Sequence, residues 1–248
     1  MCDQEIFQMT KSSIKPKDLE KIILYEDNHL IVVNKPSGTL VQGDKTGDAP
    51  LSDDIKRYIK EKYNKPGEVF LGTVHRLDRP TSGVVLFART SKALARMNAL
   101  FKSNSVQKTY WAVTEKQPKQ KRGKRIDHLK KVERNNKSHV VSETTPNAKK
   151  AELDYQLIGM GDRYAFIEIK PKTGRHHQIR VQLSHMGCII KGDLKYGAKR
   201  SNKDGSIHLH ARKLEFTHPV KKTPVSIIAP VAMDSLWKAF DQRANHSD

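Results

Sequence analysis

Two runs of alternating side chains, separated by four turn-forming residues, restrict the fold of this chain more than any other feature. In AELDYQLIG, Ala151, Leu153, Tyr155 and Leu157 occupy every second position, and in YAFIEIK, Ala165, Ile167 and Ile169 do the same. Successive side chains point to opposite faces of a strand, so each run presents one apolar face and one wet face. Met160, Gly161, Asp162 and Arg163 lie between the runs and supply a turn. The pattern predicts two antiparallel strands, and so commits the chain to a sheet that is at least partly antiparallel.

Other segments join this hairpin. HLIVVNKPSG, residues 29–38, reads as a strand of apolar and β-branched residues ended by a Pro-Ser-Gly turn. Leu51, Ile55 and Ile59 recur at helical spacing, with Ser52 as the expected N-cap and Asp53 and Asp54 at the positive end of the dipole. GVVLFA, residues 83–88, has the length and composition of a buried strand. Behind a Thr/Ser cap, Ala93, Met97, Leu100 and Phe101 then share one helical face. KTYWAVT, residues 108–114, returns as a strand. RHHQIRVQLSHMG, residues 175–187, fits either alternation or a helix, and its length and the Gly187 stop favour the helix. HLHARKLEF and VSIIAP read as late strands, and Asp234 caps a closing helix that contains Leu236, Trp237 and Phe240. Strands paired through hairpins and interrupted by short helices predict an α+β fold, with a mixed, mostly antiparallel central sheet flanked by those helices. No internal repeat is present. Residues 1–20 show no period and are expected to be a flexible arm; residues 21–245 are expected to form one domain.

The charge balance points to the partner. Lys and Arg number 46 against 27 Asp and Glu, a net +19, and such a field draws polyanions by long-range attraction and counterion release. Residues 115–150 carry twelve of the basic residues against four acids, with few large apolar side chains, and read as a basic loop with room for one short hairpin. Nucleic acid is the expected partner. An anionic membrane would call for an amphipathic surface helix or a lipidation signal, and neither is evident. No apolar run of about 18 residues and no secretory leader is evident either. Cys2 and Cys188 are the only cysteines, which suggests neither a disulfide framework nor a metal site and suits a reducing cytoplasm. GxGxxG, P-loop, HExxH and GxSxG signatures are missing, and KPSG at 35–38 is too short to cradle phosphates.

Three features carry chemistry. In HRLDRPTSG, Asp78 stands between Arg76 and Arg79, while Pro80, Thr81, Ser82 and Gly83 supply a rigid turn. By itself the loop admits two readings: a turn stapled by ion pairs, or a carboxylate kept charged by its two arginines as a nucleophile or base. The block KPKTGRHHQIRVQLSHMGCIIKGDLKYG gathers Arg175, His176, His177, Gln178 and Arg180 after a Thr-Gly turn. That density suits phosphate and base-edge recognition, or one arginine paired with a remote carboxylate, or simply a solvated helix face. Tyr110 and Trp111, after Lys108, must face opposite sides of their strand, one toward the core and the other free to reach a cleft. His208 and His210 share a strand face, but no acid or cysteine accompanies them at ligand spacing, and no metal site is expected.

Together these pieces resemble the RluA-type family of pseudouridine synthases, which isomerise uridine in structured RNA. VNKPSG, HRLDRPTSGVVLFA, KTYWAV, TGRHHQIRVQLSHMGCIIKGDLKYG and HLHARKLEF occur in the family's order across most of residues 21–217. The resemblance implies the pseudouridine synthase fold, without the accessory N-terminal RNA-binding domain that some members carry. It implies Asp78 as the catalytic aspartate, Tyr110 as the tyrosine against the target base, and Arg180 as the partner of the aspartate. Arg76 would enter the RNA helix as the base leaves, and His75, Arg79, Arg175, His177 and Gln178 would contact RNA. His176 stands where the family usually has Thr or Ser, and Gln182 where it usually has His. The implied partner is ribosomal or transfer RNA, with no cofactor and with a monomer as the working unit. A catalytically silent RNA-binding protein and a metal-dependent nuclease are the competing readings of the charge, and the missing acid clusters make the nuclease the weaker.

Overall fold

In the computed structural model the described residues are 14–44 and 47–245. Their strands are β1 (Ile23–Glu26), β2 (Leu30–Lys35), β3 (Gly72–Thr73), β4 (Ser82–Ala88), β5 (Gln107–Thr114), β6 (Arg122–Val132), β7 (Lys137–Val141), β8 (Lys149–Met160), β9 (Ala165–Pro171), β10 (Leu209–Thr217) and β11 (Pro224–Ile228). The α-helices are α1 (Pro16–Glu20), α2 (Leu51–Lys62), α3 (Ser91–Lys102), α4 (Gln178–His185) and α5 (Ser235–Asn245). The strands form one sheet in the order β1-β2-β4-β10-β5-β9-β8-β6-β7, with β11 on β10 and β3 on β4. Only β10 against β4 is parallel; the other pairs are antiparallel. The hairpin that opened the reading is present as β8 and β9, with Leu157 opposite Ile167 and Tyr155 opposite Ile169.

Strand alternation sorts the core into two faces. On β4, Val84 and Leu86 pack under Ala93 and Met97 of α3, while Val85 and Phe87 pack under Leu51, Ile55 and Ile59 of α2. On β5, Ala112 lies under Ile179 and Leu183 of α4, while Trp111 and Val113 lie under Trp237 and Phe240 of α5. Val106, just before β5, has the same parity as Tyr110 and Ala112 on it, so α3 and α4 cover one face side by side and α2 and α5 cover the other. Trp111 stacks on Phe240 with ring centroids 4.3 Å apart. The gap between α3 and α4 is where the site lies.

Three expectations need correction. Residues 115–150 are not a loop with a short hairpin: β6 is an eleven-residue strand, paired with β8 from Arg122–Gln156 to Leu129–Lys149, and β7 closes that end of the sheet. An apolar period was missing because the inward positions are partly polar, with Asp127 held by Arg125 at 2.8 and 2.6 Å and by Gln182 of α4 at 2.8 Å. The second correction concerns α2, which begins after Pro50 rather than Ser52; Pro50 sits in extended backbone, and Ser52 is inside the first turn. Thirdly, the expected arm is not uniform: α1 packs on α2, Leu19 is fully buried, and Ile14 N donates to Asp54 at 3.0 Å. Residues 1–13 of that arm lie outside the described residues. The caps at Thr90, which accepts from Ala93 N, and at Asp234, which accepts from Leu236 N and Trp237 N, stand as expected.

Candidate active site

The loop carrying Asp78 is clamped from behind by the turn after β2. Lys35 is fully buried, and its ammonium donates to the carbonyls of Pro36, Thr39 and Arg79 at 2.9, 2.9 and 3.2 Å. Burial pushes this amine down to about 7, against the attraction of Asp78. Ser37 Oγ donates to Pro80 O at 2.9 Å, and Gly38 N donates to Arg79 O at 2.8 Å. Thus KPSG, too short for a phosphate, is the right length to bind a neighbouring loop. Just beyond, Gly83 has φ +114°, and a Cβ there would lie 2.3 Å from Ala211 O. Only glycine allows β10 to run parallel against β4 at this point.

Asp78 does not pair with the arginines beside it in sequence. Arg79 turns away to Asp48, at 2.8 Å, and to Gly38 O, while Arg76 is exposed. Instead Arg180 Nη1 donates to Asp78 Oδ2 at 3.0 Å from 102 residues away. Adjacent loop residues face different ways, so a sequence neighbour is a poor guess for an ion-pair partner, and a helix facing the loop is a better one. Arg180 is itself fixed: Nε and Nη2 donate to the two carboxylate oxygens of Asp193, each at 2.7 Å, and its guanidinium lies 5.1 Å from the Tyr196 ring centre. Arg180 is 5 % exposed and Asp193 1 %, while Asp78 is 28 % exposed. The guanidinium therefore bridges a buried acid and an acid that opens toward the cleft. Burial opposes its charge, but Asp193 and then Asp78 outweigh that and hold the proton more firmly than usual.

His177 completes the wall. It precedes α4 in left-handed backbone, φ +53°, a conformation that non-glycine residues hold only where the surroundings impose it. Its Nε2 lies 3.6 Å from Asp78 Oδ2, and its Nδ1 is 2.9 Å from Tyr196 Oη. Burial, with Arg180 beside it, pushes the imidazole down to about 2, so the ring is neutral. Tyr110 stands on the same sheet face, partly exposed, and burial together with the charge of Asp78 pushes its phenol well above the usual range.

Two expected RNA contacts are placed elsewhere. His75 accepts from Leu86 N at 3.1 Å and stacks on Phe101 at 5.1 Å; burial, then Lys108, pushes it down to about 3. Gln178 is buried, accepting from Thr173 Oγ1 and Arg175 N and donating to Glu152 O at 3.0 Å. Gln178 is a brace, because its polar atoms are already satisfied by the protein, and His75 is held in place through its Nε2 and its ring stacking. Arg175 is exposed and donates to Lys150 O. His210 bridges Ser82 Oγ at 2.9 Å and Ala229 O at 3.1 Å, and His208 lies against Asn202. Among the described residues no group of three or more His, Cys, Asp or Glu is placed to hold a metal ion. Sequence reasoning missed Asp193 and Tyr196, although both lie in GDLKYG, whose glycines have φ +86° and +110°. That pair of special backbone positions was the available signal.

Comparison with known proteins identifies relatives along nearly the whole chain. The family model described as RNA pseudouridylate synthase matches residues 29–185. The ribosomal large subunit pseudouridine synthase C of Vibrio vulnificus is 34% identical over 238 residues, covering 92% of this chain and 71% of that protein. The tRNA pseudouridine synthase C of Haemophilus ducreyi is 33% identical over 246 residues, covering 92% of this chain and 98% of that one. Among solved structures, human RNA Pseudouridylate Synthase Domain Containing 4 superposes with a TM-score of 0.74 at 27% identity, covering 93% of this chain and 95% of that one. The chain belongs to the RNA pseudouridylate synthase family, the RluA-type branch of which its motifs resemble.

Proposed function

We propose that Asp78 is the catalytic group with which this enzyme converts uridine in structured RNA to pseudouridine, and that Arg180 and Tyr110 complete its site. The observation that carries this reading is the 3.0 Å hydrogen bond from Arg180 to Asp78 at the mouth of the gap between α3 and α4. The isomerisation breaks the glycosidic bond, turns the uracil and rejoins it through carbon 5. The reacting atoms lie inside an RNA helix, so the nucleotide must first be everted, which costs a few kcal/mol. Arg76, exposed at the loop, is proposed to fill the space the base leaves. Asp78 then meets the sugar or the ring, with Arg180 supplying the opposite charge that a carboxylate needs in a site closed to water. Tyr110 lies under the base, and its phenol is proposed to assist removal of the carbon 5 proton. Every group named comes from one chain, and the proposed working unit is a monomer in the cytoplasm acting on ribosomal or transfer RNA.

The test is Asp78→Asn on RNA transcribed with 5-tritiated uridine. Loss of tritium release, with RNA binding retained, is expected. Release at the wild-type rate from that variant would remove Asp78 from the chemistry.

A further inference from the structure

Strand β5 carries a second cation into the cleft. Lys108 precedes Tyr110 by two residues, so both side chains leave the same sheet face, about 7 Å apart along the strand. Its ammonium is half-buried, and burial alone pushes it below its usual range, because no carboxylate or carbonyl among the described residues takes its protons. The charge is close enough to His75 to depress that imidazole as well. Lysine is rarely left buried without a partner, since desolvating the charge is costly. Where the fold tolerates that cost, an anion from outside is the natural complement.

The surrounding space suits one. Val106, Gln107, Lys108, Lys170, Pro171 and Lys172 line a cavity of about 220 Å³ at the end of the β5–β9 pair. Two of its three lysines are neutralised at their exposed ends, Lys170 by Glu168 at 3.2 Å and Lys172 by Asp154 at 3.1 Å. Lys108 is left as the unpaired one. The cavity caps the end of the ladder beyond Tyr110–Ile169: Lys108 leaves the sheet on the face of Tyr110 and Ile169, whereas Lys170, paired with Glu168, leaves on the opposite face, that of Trp111. We infer that Lys108 binds a backbone phosphate of the RNA strand next to the everted uridine. This rests on the proposed function, deepening it from the base to the strand that bears it. The phosphate anchors the strand while the nucleoside turns out toward Asp78.

The experiment first identifies which of two probes the wild-type enzyme modifies: large-subunit ribosomal RNA or bulk tRNA sequences, each transcribed in vitro with 5-tritiated uridine. A short fragment around the modified uridine then serves as substrate, with single phosphates replaced one at a time by neutral methylphosphonates. Lys108→Met is expected to raise the half-saturating RNA concentration about tenfold, the share of one charge-assisted contact, to reduce the salt slope of binding by about one, and to leave turnover at saturation nearly intact. Lys108→Arg is expected to restore much of the affinity. One methylphosphonate position is expected to weaken wild type but make no further difference to Lys108→Met. Thermal melting separates this from a structural role: removing an unpaired buried charge is expected to raise the melting temperature of the free protein. A Lys108→Met variant that is destabilised, or that keeps wild-type affinity and salt slope, overturns the inference, as does a scan with no phosphate to which it is indifferent. Tritium release from neither probe by wild type would instead fault the proposed substrate range.

Discussion

Arg180 directs two of its N–H groups to Asp193, at 2.7 Å each, and one to Asp78, at 3.0 Å. The tighter grip is on the acid that never meets water, and the looser one on the acid that faces the cleft. Asp193 thus fixes the direction from which the guanidinium approaches Asp78.

Replacing Asp193 by Ala leaves a buried guanidinium with half its partners gone. The expected loss is about 3–5 kcal/mol of stability, the usual consequence of breaking a buried pair, read from urea unfolding at pH 7. Turnover is expected to fall too, because Arg180 is no longer aimed.

Arg180→Met keeps much of the side-chain volume and removes the charge beside Asp78. Turnover is expected to drop by far more than RNA affinity, measured by single-turnover kinetics beside equilibrium binding with the same RNA. A collapse of affinity with turnover intact would show that Arg180 serves the RNA rather than the acid.

Gly83→Ala introduces a Cβ 2.3 Å from Ala211 O at a φ of +114°. Overpacking and left-handed backbone together are expected to cost about 3 kcal/mol or more, seen as a lower urea midpoint or as insoluble protein.

Mild acid is expected to destabilise the fold. His177 and His210 are buried with their imidazoles pushed down to about 2 and about 4. In the unfolded chain each takes a proton near pH 6.5. The unfolded state therefore binds more protons between pH 6.5 and about 4, and stability falls as pH falls, by up to about 1.4 kcal/mol per pH unit for each such histidine. Urea midpoints at pH 7.5, 6.5 and 5.5 should decline in that order. A flat series would mean that these rings are charged in the folded protein.

Reversing charges at Lys121, Arg122 and Lys130, on or beside β6, is expected to weaken RNA binding and flatten its salt dependence, with little loss of rate at saturating RNA. A fall in the saturated rate would tie this edge of the sheet to the chemistry.

What the sequence revealed follows from which forces act locally. The β8–β9 hairpin and helices α2 and α3 were legible because an apolar face repeats at a period set by the backbone itself. β6 was not, because its buried positions include Asp127, satisfied by Arg125 and Gln182, and a polar pair disrupts the apolar count. Motif resemblance brought Asp78, Tyr110 and Arg180 forward, and all three lie at the gap between α3 and α4. It also brought forward His75 and Gln178, which are engaged within the protein: a motif marks a residue that matters but does not say whether it touches the substrate or holds up one that does. Asp193 and Lys108 were invisible as site groups because their meaning depends on what lies across the fold, in one case a guanidinium and in the other an empty space.

The hydrogen bond between Asp78 and Arg180 spans 102 residues of chain, and β10, from still farther along, must slot between β4 and β5 before the sheet is continuous. During synthesis, then, the acid emerges long before its arginine, and the strand that locks the two halves together emerges later still. A chain stopped short of residue 180 would thus be a basic polymer carrying the acid without the guanidinium that faces it.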